Sequence, residues 1–197
     1  MIILSNPKYV ENLGGVIRAV ACFNYGPVLW TGKRLIDPSS GRLKALSAGY
    51  AAPRKERLLR EFRHPDYKSV LWEQTDKPFD ISHSRGMDLV PICVEVDGSE
   101  DLTYFEHPAN AAYVFGPEDG SVPPVLRRHC HRFVRIPSLY CLNLAAAVNI
   151  VLADRIMKQT RPAASNPRNK NLGNARTSKG FETTSQRRMG TGLVSRT

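Results

Sequence analysis

The feature that most constrains this chain is the alternation of short apolar runs with segments of helical periodicity. Several runs are almost uninterrupted by polar residues, which is typical of strands covered on both faces of a parallel sheet. Strands that alternate with helices predict an α/β fold, with a mostly parallel sheet and helices on both faces. The predicted strands are Ile2–Ser5, Val28–Thr31, Ser69–Glu73, Leu89–Val96, Ala111–Phe115 and Arg132–Ile136.

Helical spacing predicts the elements between these strands. In the first helix we expect Asn12 to cap the start, and Arg18 falls off the apolar stripe and should point outward. The polar stretch 75–87 predicts a loop. Further helices are predicted over Ser40–Gly49, Arg54–Arg63 and Val122–His131. A last helix should run from about Leu142 to Met157, with a stripe of Leu142, Ala145, Ala146, Ile150, Ala153 and Met157.

The net charge of +10 is concentrated near the C-terminus. Residues 158–197 contain nine Lys/Arg and a single Glu and carry +8, so residues 1–157 carry only +2. The end of the chain has few large apolar side chains, and its burial cannot offset the entropy of ordering it. We therefore predict one folded domain over 1–157 and a basic, disordered tail over 158–197. Such a tail suits a polyanion such as nucleic acid, and a merely solubilising role fits the same composition.

Composition also argues against several classes of protein. No apolar stretch approaches the roughly 18 residues that a membrane-spanning helix needs. The start, Met1–Pro7, lacks the features of a secretory signal, so we expect a cytoplasmic location and no membrane partner. The four cysteines form no C-x-x-C pair, which disfavours a zinc site or a disulfide framework. Adjacent side chains in His129–His131 diverge and cannot easily converge with Cys141, so no metal site is predicted.

The first motif is Asn6-Pro7 followed by N-L-G-G-V-I-R over residues 12–18. The two glycines allow another backbone or a ligand to approach the first turn of the helix closely. The guanidinium of Arg18 suits bidentate binding of a phosphate. A helix with an exposed arginine is common, so this motif alone assigns no function.

The second motif is Y-V-F-G-P-E-D-G over residues 113–120. An apolar strand runs into a glycine- and proline-bearing turn at its carboxyl end, where open parallel sheets bind ligands. The glycines expose backbone groups, and Glu118 offers an acceptor to a partner rich in donors. Glycine, proline and aspartate are also ordinary turn residues.

The third motif is R-I-P-S-L-Y-C-L-N-L-A-A-A over residues 135–147. A strand ends at a proline, a short loop follows, and a helix rich in small residues begins. Asn143 lies near the start of that helix and can hydrogen-bond a neighbouring loop or a substrate. The alanines 145–147 are read as residues that permit close helix packing.

In this order and spacing the three motifs resemble the TrmH-like branch of the SPOUT methyltransferases. The pattern of that branch is an N-x-G…R helix, then F-G-P-E-x-x-G, then I-P…S-x-N, and the resemblance covers about residues 1–157. It implies S-adenosylmethionine-dependent 2′-O-methylation of ribose in RNA, either tRNA or rRNA. It also implies a C-terminal deep trefoil knot whose loops hold a bent cofactor, and an obligate homodimer.

The resemblance also assigns residues by motif position. The implied catalytic residues are Arg18, Asn12, Glu118 and Asn143, with Asn12 and Glu118 ordering the site. A free guanidinium stays protonated, so Arg18 is better suited to placing the RNA phosphate and hydroxyl than to accepting a proton. Cys141 stands where serine is usual, and a thiol is the weaker hydrogen-bond partner. The implied cofactor contacts, largely through the backbone, are Val94, Gly116, Ile136, Cys141 and Leu142.

Two alternatives remain open at this point. A catalytically silent RNA-binding or assembly factor could have the same fold, although the presence of Arg18, Glu118 and Asn143 disfavours it. A SPOUT enzyme that methylates a ring nitrogen of a base is the other, and the N-x-G…R helix favours the ribose branch. An α/β hydrolase is poorly supported because the chain has no G-x-S-x-G elbow.

Overall fold

A computed structural model describes residues 1–35, 70–80 and 88–160 of the chain. The predicted helices over Ser40–Gly49 and Arg54–Arg63 lie outside the described residues. The strands in the described part are β1 (Ile2–Leu4), β2 (Val28–Trp30), β3 (Trp72–Gln74), β4 (Val90–Val94), β5 (Glu100–Asp101), β6 (Ala111–Phe115) and β7 (Arg132–Arg135). The helices are α1 (Val10–Cys22), α2 (Pro124–Arg127) and α3 (Leu144–Gln159), and Leu102–Tyr104 form a 3₁₀ turn.

The seven strands form one sheet in the order β3-β2-β1-β6-β4-β7-β5. Every neighbouring pair is parallel, so all the carboxyl ends lie at one edge of the sheet. The predicted α/β class and its parallel sheet are confirmed. All six predicted strands are present, with bounds that are shorter or shifted by a few residues, except for Ala111–Phe115, which is unchanged.

Successive side chains of the central strands are buried on opposite faces of the sheet. In β1, Ile2 and Leu4 pack in a cluster with residues of α1 and α3, such as Val16 and Val148. Ile3 belongs to a second cluster on the other face, which includes Leu126 and Cys130 beside α2, together with Leu29, Cys93, Ala112 and Val114. Burial on both faces is the reason that the strands read as nearly continuous apolar runs.

The prediction missed β5, the edge strand. It consists of two acidic residues, which carry no strand signal in the sequence. They pair with the end of β7, and their side chains form ion pairs with arginines of that strand, Glu100 with Arg132 and Asp101 with Arg135. Strand β5 is therefore joined to β7 by ion pairs as well as by backbone pairing, and hydrophobic patterning could not predict it.

Two further predictions need correction. The helix expected over Val122–His131 is limited to Pro124–Arg127, because Pro123 caps it in an extended conformation and the turn beyond it closes through i to i+3 hydrogen bonds. The loop expected over residues 75–87 is helical at 78–80, where Pro78 can occupy a first helical turn, and residues 81–87 lie outside the described part.

The last helix begins at Leu144 and ends at Gln159, but its predicted buried stripe was wrong. Ile150 and Met157 are 39% and 60% exposed, whereas the buried residues are Leu144, Val148, Val151, Leu152 and Arg155. Arg155 is buried because it donates to the carbonyl oxygens of Pro108 and Ala109 and to the Tyr113 hydroxyl. The helix therefore has two apolar sides, and one of them faces away from the described core.

Helices α1 and α3 approach each other closely at a pair of small residues. A Cβ atom added to Gly15 would lie 2.8 Å from the Cβ atom of Ala145, closer than real Cβ contacts. The expectation that a glycine of the first motif permits close approach is confirmed here, and so is the packing interpretation of Ala145. This contact brings the helical parts of the first and third motifs together.

Candidate functional site

A cleft of about 380 Å³ lies at the carboxyl ends of β4, β6 and β7 and reaches the first turn of α3. Its volume falls within the range of small-molecule sites, about 300–1,000 Å³. The position is the one at which parallel sheets bind ligands. The cleft brings together all five residues predicted to contact a cofactor: Val94, Gly116, Ile136, Cys141 and Leu142.

Gly116 determines how closely the walls of the cleft approach each other. A Cβ atom at this position would lie 3.1 Å from three atoms: Oε1 of Glu95, the carbonyl oxygen of Gly120 and the backbone nitrogen of Val122. These contacts are tighter than most real Cβ contacts, so a larger residue would need its neighbours to shift by a few tenths of an ångström. Gly116 thus allows the loop to pack closely on itself and on Glu95.

Three predicted catalytic residues form one chain of hydrogen bonds beside the cleft. Nδ2 of Asn12 donates to Oε1 of Glu118 at 2.6 Å, and Oδ1 of Asn12 accepts from Nδ2 of Asn143 at 2.9 Å. Asn12 is only 7% exposed, so its amide is committed to this bridge. The side chain therefore joins the three sequence motifs and has little surface left for a substrate.

The expectation that Asn12 caps the first helix is wrong. Helix α1 begins at Val10 with Tyr9 as its N-cap, and Tyr9 supplies no capping side chain. Instead the Glu118 carboxylate accepts from the backbone nitrogens of Lys8 and Tyr9, at 2.8 and 3.3 Å. A carboxylate at this end also interacts favourably with the helix dipole. The acceptor for the start of α1 comes from a loop more than 100 residues away, so local sequence could not indicate it.

Asn143 does cap a helix. Its Oδ1 accepts from the backbone nitrogens of Ala145 and Ala146, at 3.0 and 3.2 Å, and so satisfies two free donors at the start of α3. The same side chain donates to Asn12. A neighbouring loop or a substrate was expected as its partner, and in the structure the partner is a residue of helix α1.

An ion cluster beside Glu118 was not anticipated from the sequence. The guanidinium of Arg34 binds both carboxylate oxygens of Asp119, at 2.8 and 2.6 Å, and Lys8 approaches the same carboxylate at 3.4 Å. The hydrogen bonds from Arg34 hold the pKa of the Asp119 carboxyl well below its usual range. A signal was available, because Arg34 follows a predicted strand and therefore lies at the same sheet edge as the second motif.

Arg18 is exposed on α1, as expected, and does not line the cleft. It lies six residues beyond Asn12, which is about 9 Å along a helix axis. Within residues 1–35, 70–80 and 88–160 its side chain has no hydrogen bond or ion pair. The structure therefore brings together three of the four predicted catalytic residues and leaves the arginine apart.

The residues considered as metal ligands do not converge. Cys130 is buried in the core behind β4, whereas His129, His131 and Cys141 are exposed. Among the described residues there is no group of three or more side chains that could hold a metal ion. The described helices also include none that is both long and apolar enough to cross a membrane.

Comparison with known proteins agrees with this fold. A model of the SpoU rRNA Methylase family matches residues 1–153. The chain therefore belongs to that family, which confirms the resemblance drawn from the three motifs. Among curated protein sequences, none matches the chain.

Several solved structures have a similar fold. The SpoU methyltransferase AviRb from Streptomyces viridochromogenes, in complex with the cofactor AdoMet, is 19% identical with a TM-score of 0.60; the match covers 80% of this chain and 59% of AviRb. The A. aeolicus TrmH/SpoU tRNA modifying enzyme is 14% identical, with coverage of 81% and 74% and a TM-score of 0.59. A structure concerned with the 2-OH methylation of C/U34 on tRNA is 18% identical, with coverage of 81% and 95% and a TM-score of 0.58.

We predict that Asn12→Ala lowers the free energy of unfolding by about 2–4 kcal/mol, because it removes one charge-assisted and one neutral hydrogen bond made by a buried side chain. Asn12→Asp should cost at least as much at pH 7, since its carboxylate would face Glu118. Part of that loss should return as the pH falls, because the paired carboxyls acquire a raised pKa and take up a proton. Urea denaturation at several pH values measures both effects.

The matched control is Asn149→Ala. Asn149 is an exposed asparagine whose side chain bonds only the carbonyl oxygen of Ala145 in its own helix. Its replacement should change stability by no more than about 0.5 kcal/mol. If Asn12→Ala were as mild as this control, Asn12 would not be the bridge between the motifs.

Proposed function

We propose that this protein is a methyltransferase that uses S-adenosylmethionine to methylate the ribose 2′-hydroxyl of an RNA, either tRNA or rRNA. The observation that carries the proposal is the position of the cleft. It is built from the second and third motifs, and it lies directly beside the hydrogen-bonded residues Asn12, Glu118 and Asn143. The cleft for a small molecule and the hydrogen-bonded polar residues thus lie together at one edge of the sheet. This arrangement suits the transfer of a methyl group from a cofactor to a larger substrate.

The residues of the cleft fit the proposed cofactor. Apolar side chains, such as those of Val94, Ile136 and Leu142, offer surfaces to an adenine ring, while the crowded backbone at Gly116 and Gly120 offers polar groups at close range. The acidic side chains at the cleft suit a ligand with positive charge. When bound, S-adenosylmethionine would supply a methyl group on a sulfonium, which an oxygen nucleophile can attack directly.

The role of the protein in such a transfer is mainly one of placement. Aligning a ribose hydroxyl with the methyl group supplies much of the acceleration, because binding has already restricted the translation and rotation of the reacting groups. We assign that placement to Arg18, whose planar guanidinium can bind an RNA phosphate in a bidentate manner. Asn12, Glu118 and Asn143 keep the loops and helix ends around the cleft in a fixed arrangement.

We further propose that the active unit is a homodimer. Arg18 lies apart from the cleft of its own chain, and α3 presents a second apolar side that the described core does not cover. This side contains Ile150 and Met157, which are one helical repeat of seven residues apart, and exposed apolar patches commonly mark interaction sites. A second copy of the chain would cover this side and could bring its own Arg18 to the cleft.

Two more features complete the proposal, one implied by the family and one by the charge of the chain. The chain from β6 to α3 would thread as a deep trefoil knot, which agrees with the loops of the second and third motifs lining one cleft. Residues 158–197 would form a basic extension of the domain over 1–157, although α3 itself continues to Gln159. The extension would add RNA affinity through its charge of +8.

Calorimetry with S-adenosylhomocysteine tests the cofactor, and we expect saturable binding without added metal. Methylation of bulk RNA by the protein, followed by digestion to nucleosides and mass spectrometry, should then find the methyl group on ribose. A methyl group on a base would point to the base-methylating branch instead. Absence of any transfer by a protein that binds both RNA and cofactor would indicate a silent binding factor.

We predict that Arg18→Ala reduces methyl transfer by at least about 100-fold, the effect typical of removing one group that stabilises the transition state. Affinity for S-adenosylhomocysteine and the melting temperature should stay nearly unchanged, because Arg18 is exposed and does not line the cleft. Arg18→Lys should also fail largely, since an ammonium cannot reproduce the planar fork. Arg128→Ala, which removes an exposed arginine elsewhere, is the control and should retain activity.

Heterodimers test whether the site is shared. Arg18→Ala should be mixed with Gly116→Trp, a variant with a filled cleft. Each parent is expected to be inactive, while a mixed dimer retains one intact composite site and should recover part of the activity. Verified heterodimers without any recovery would mean that each site is completed within one chain.

We expect deletion of residues 162–197 to leave cofactor binding intact and to weaken RNA binding. The dependence of RNA affinity on salt concentration should become shallower, because fewer phosphate counterions are released on binding. Filter binding or fluorescence anisotropy at several salt concentrations measures the slope. An unchanged slope would show that this part of the chain makes no contact with RNA.

A further inference from the structure

Glu95 is a residue of the cleft that no sequence motif indicated. It directly follows β4, next to Val94, and it lines the same wall of the cleft. Its Oε1 accepts a hydrogen bond from the backbone nitrogen of Val122, beyond the loop of the second motif. Because one oxygen is anchored, the carboxylate cannot turn freely, and its other oxygen keeps a defined position.

The other acidic residues of the cleft are already engaged. The Glu118 carboxylate accepts from two backbone nitrogens and from Asn12, and the Asp119 carboxylate binds Arg34 and Lys8. Oε2 of Glu95, in contrast, has no hydrogen bond within the described ranges 1–35, 70–80 and 88–160. An ionised carboxylate has about four lone-pair sites, so Glu95 keeps most of its accepting capacity for a ligand.

The backbone around Glu95 is arranged to keep this carboxylate in place. A Cβ atom at position 116 would lie 3.1 Å from Oε1 of Glu95, so Gly116 leaves the room that the side chain occupies. The same added Cβ atom would lie 3.1 Å from the backbone nitrogen of Val122, which donates the hydrogen bond to Glu95. The position of Glu95 is thus determined by two segments of the cleft together.

We propose that the Glu95 carboxylate accepts hydrogen bonds from the ribose hydroxyls of the adenosyl group of the cofactor, and so selects and orients that group. The proposal rests on the proposed function, because it presumes that the cleft takes S-adenosylmethionine. Two vicinal hydroxyls are a pair of donors, and a carboxylate has the acceptors to bind both. Hydrogen bonds to a charged acceptor are the stronger kind and give strong discrimination against a ligand that lacks the donor.

The surroundings of Glu95 favour the ribose hydroxyls, and not the positively charged sulfonium of the cofactor, as the group that Glu95 binds. Adenine needs an apolar wall, and Val94 in that wall is the residue that immediately precedes Glu95. Ribose is the group bonded directly to adenine, so a carboxylate at the edge of the adenine surface is within reach of the sugar. The methyl group must lie where RNA can approach it, beside the polar residues of the first motif.

The experiment is a calorimetric comparison of four ligands on the wild type, one variant and one control variant. S-adenosylmethionine, S-adenosylhomocysteine and the 2′-deoxy and 3′-deoxy analogues of the latter are titrated into the wild type and into Glu95→Gln. Glutamine is isosteric, and its remaining oxygen can still accept from Val122, so the melting temperature should be preserved. Asp97→Asn is the matched control, because it also replaces an acidic residue of the segment between β4 and β5 by its amide. Asp97 is exposed, lies outside the cleft and pairs with Arg127.

In the wild type we expect at least one deoxy analogue to bind about 10- to 100-fold more weakly than the parent ligand, the range for a hydrogen bond to a charged group. Glu95→Gln should lose a similar factor for S-adenosylhomocysteine and then bind the analogues almost as well as the parent. Asp97→Asn should keep the wild-type pattern.

Three results would overturn the assignment, and they are distinguishable. If Glu95→Gln keeps the full penalty for the deoxy analogues, Glu95 does not bind the hydroxyls although the cofactor site stands. If Glu95→Gln weakens the binding of S-adenosylmethionine but not that of S-adenosylhomocysteine, whose sulfur is uncharged, the carboxylate pairs with the sulfonium instead. If the folded wild type binds no S-adenosylhomocysteine, the proposed function fails and the role of Glu95 fails with it.

Discussion

The side-chain amide of Asn12 joins three segments that are far apart in the sequence, and the arrangement of the site depends on it. It donates to Glu118 in the loop after β6 and accepts from Asn143 at the start of α3. Glu118 in turn accepts from the backbone before α1, and Asn143 accepts from the first turn of α3. One buried bridge thereby fixes the starts of two helices relative to the loop between them.

This bridge works because of the parallel sheet. Parallel pairing puts the carboxyl ends of β1, β4, β6 and β7 at a single edge of the sheet. Segments that are about 100 residues apart in the sequence are therefore close together at that edge. The close contact of Gly15 with Ala145 allows α1 and α3 to approach near that edge. The cleft and the polar bridge are then neighbours, which is the arrangement that transfer between a bound cofactor and a large substrate requires.

Helix α3 illustrates where sequence patterns are ambiguous. Its sequence has apolar residues on two sides, and periodicity favoured the side of Ile150 and Met157 as the buried one. Packing buried the opposite side, together with Arg155, whose charge is satisfied by backbone carbonyl oxygens of the loop before β6. A charged residue with tertiary acceptors is invisible to hydrophobic patterning, because its partners come from another part of the chain.

The sequence by itself determined the α/β class and six strands of the parallel sheet, and the resemblance of its three motifs to a known family indicated five of the residues that line the cleft. These follow from local signals: apolar runs, turn-forming residues at strand ends, and motifs whose spacing is specific in combination. Only the tertiary structure decided that Asn12 is a bridge and that Glu118 accepts from the backbone before α1. It also decided that Arg34 pairs with Asp119 and that one oxygen of Glu95 has no partner among the described residues. Each of these contacts joins residues from different segments of the chain that come together at the edge of the sheet. A local sequence pattern does not predict such partners.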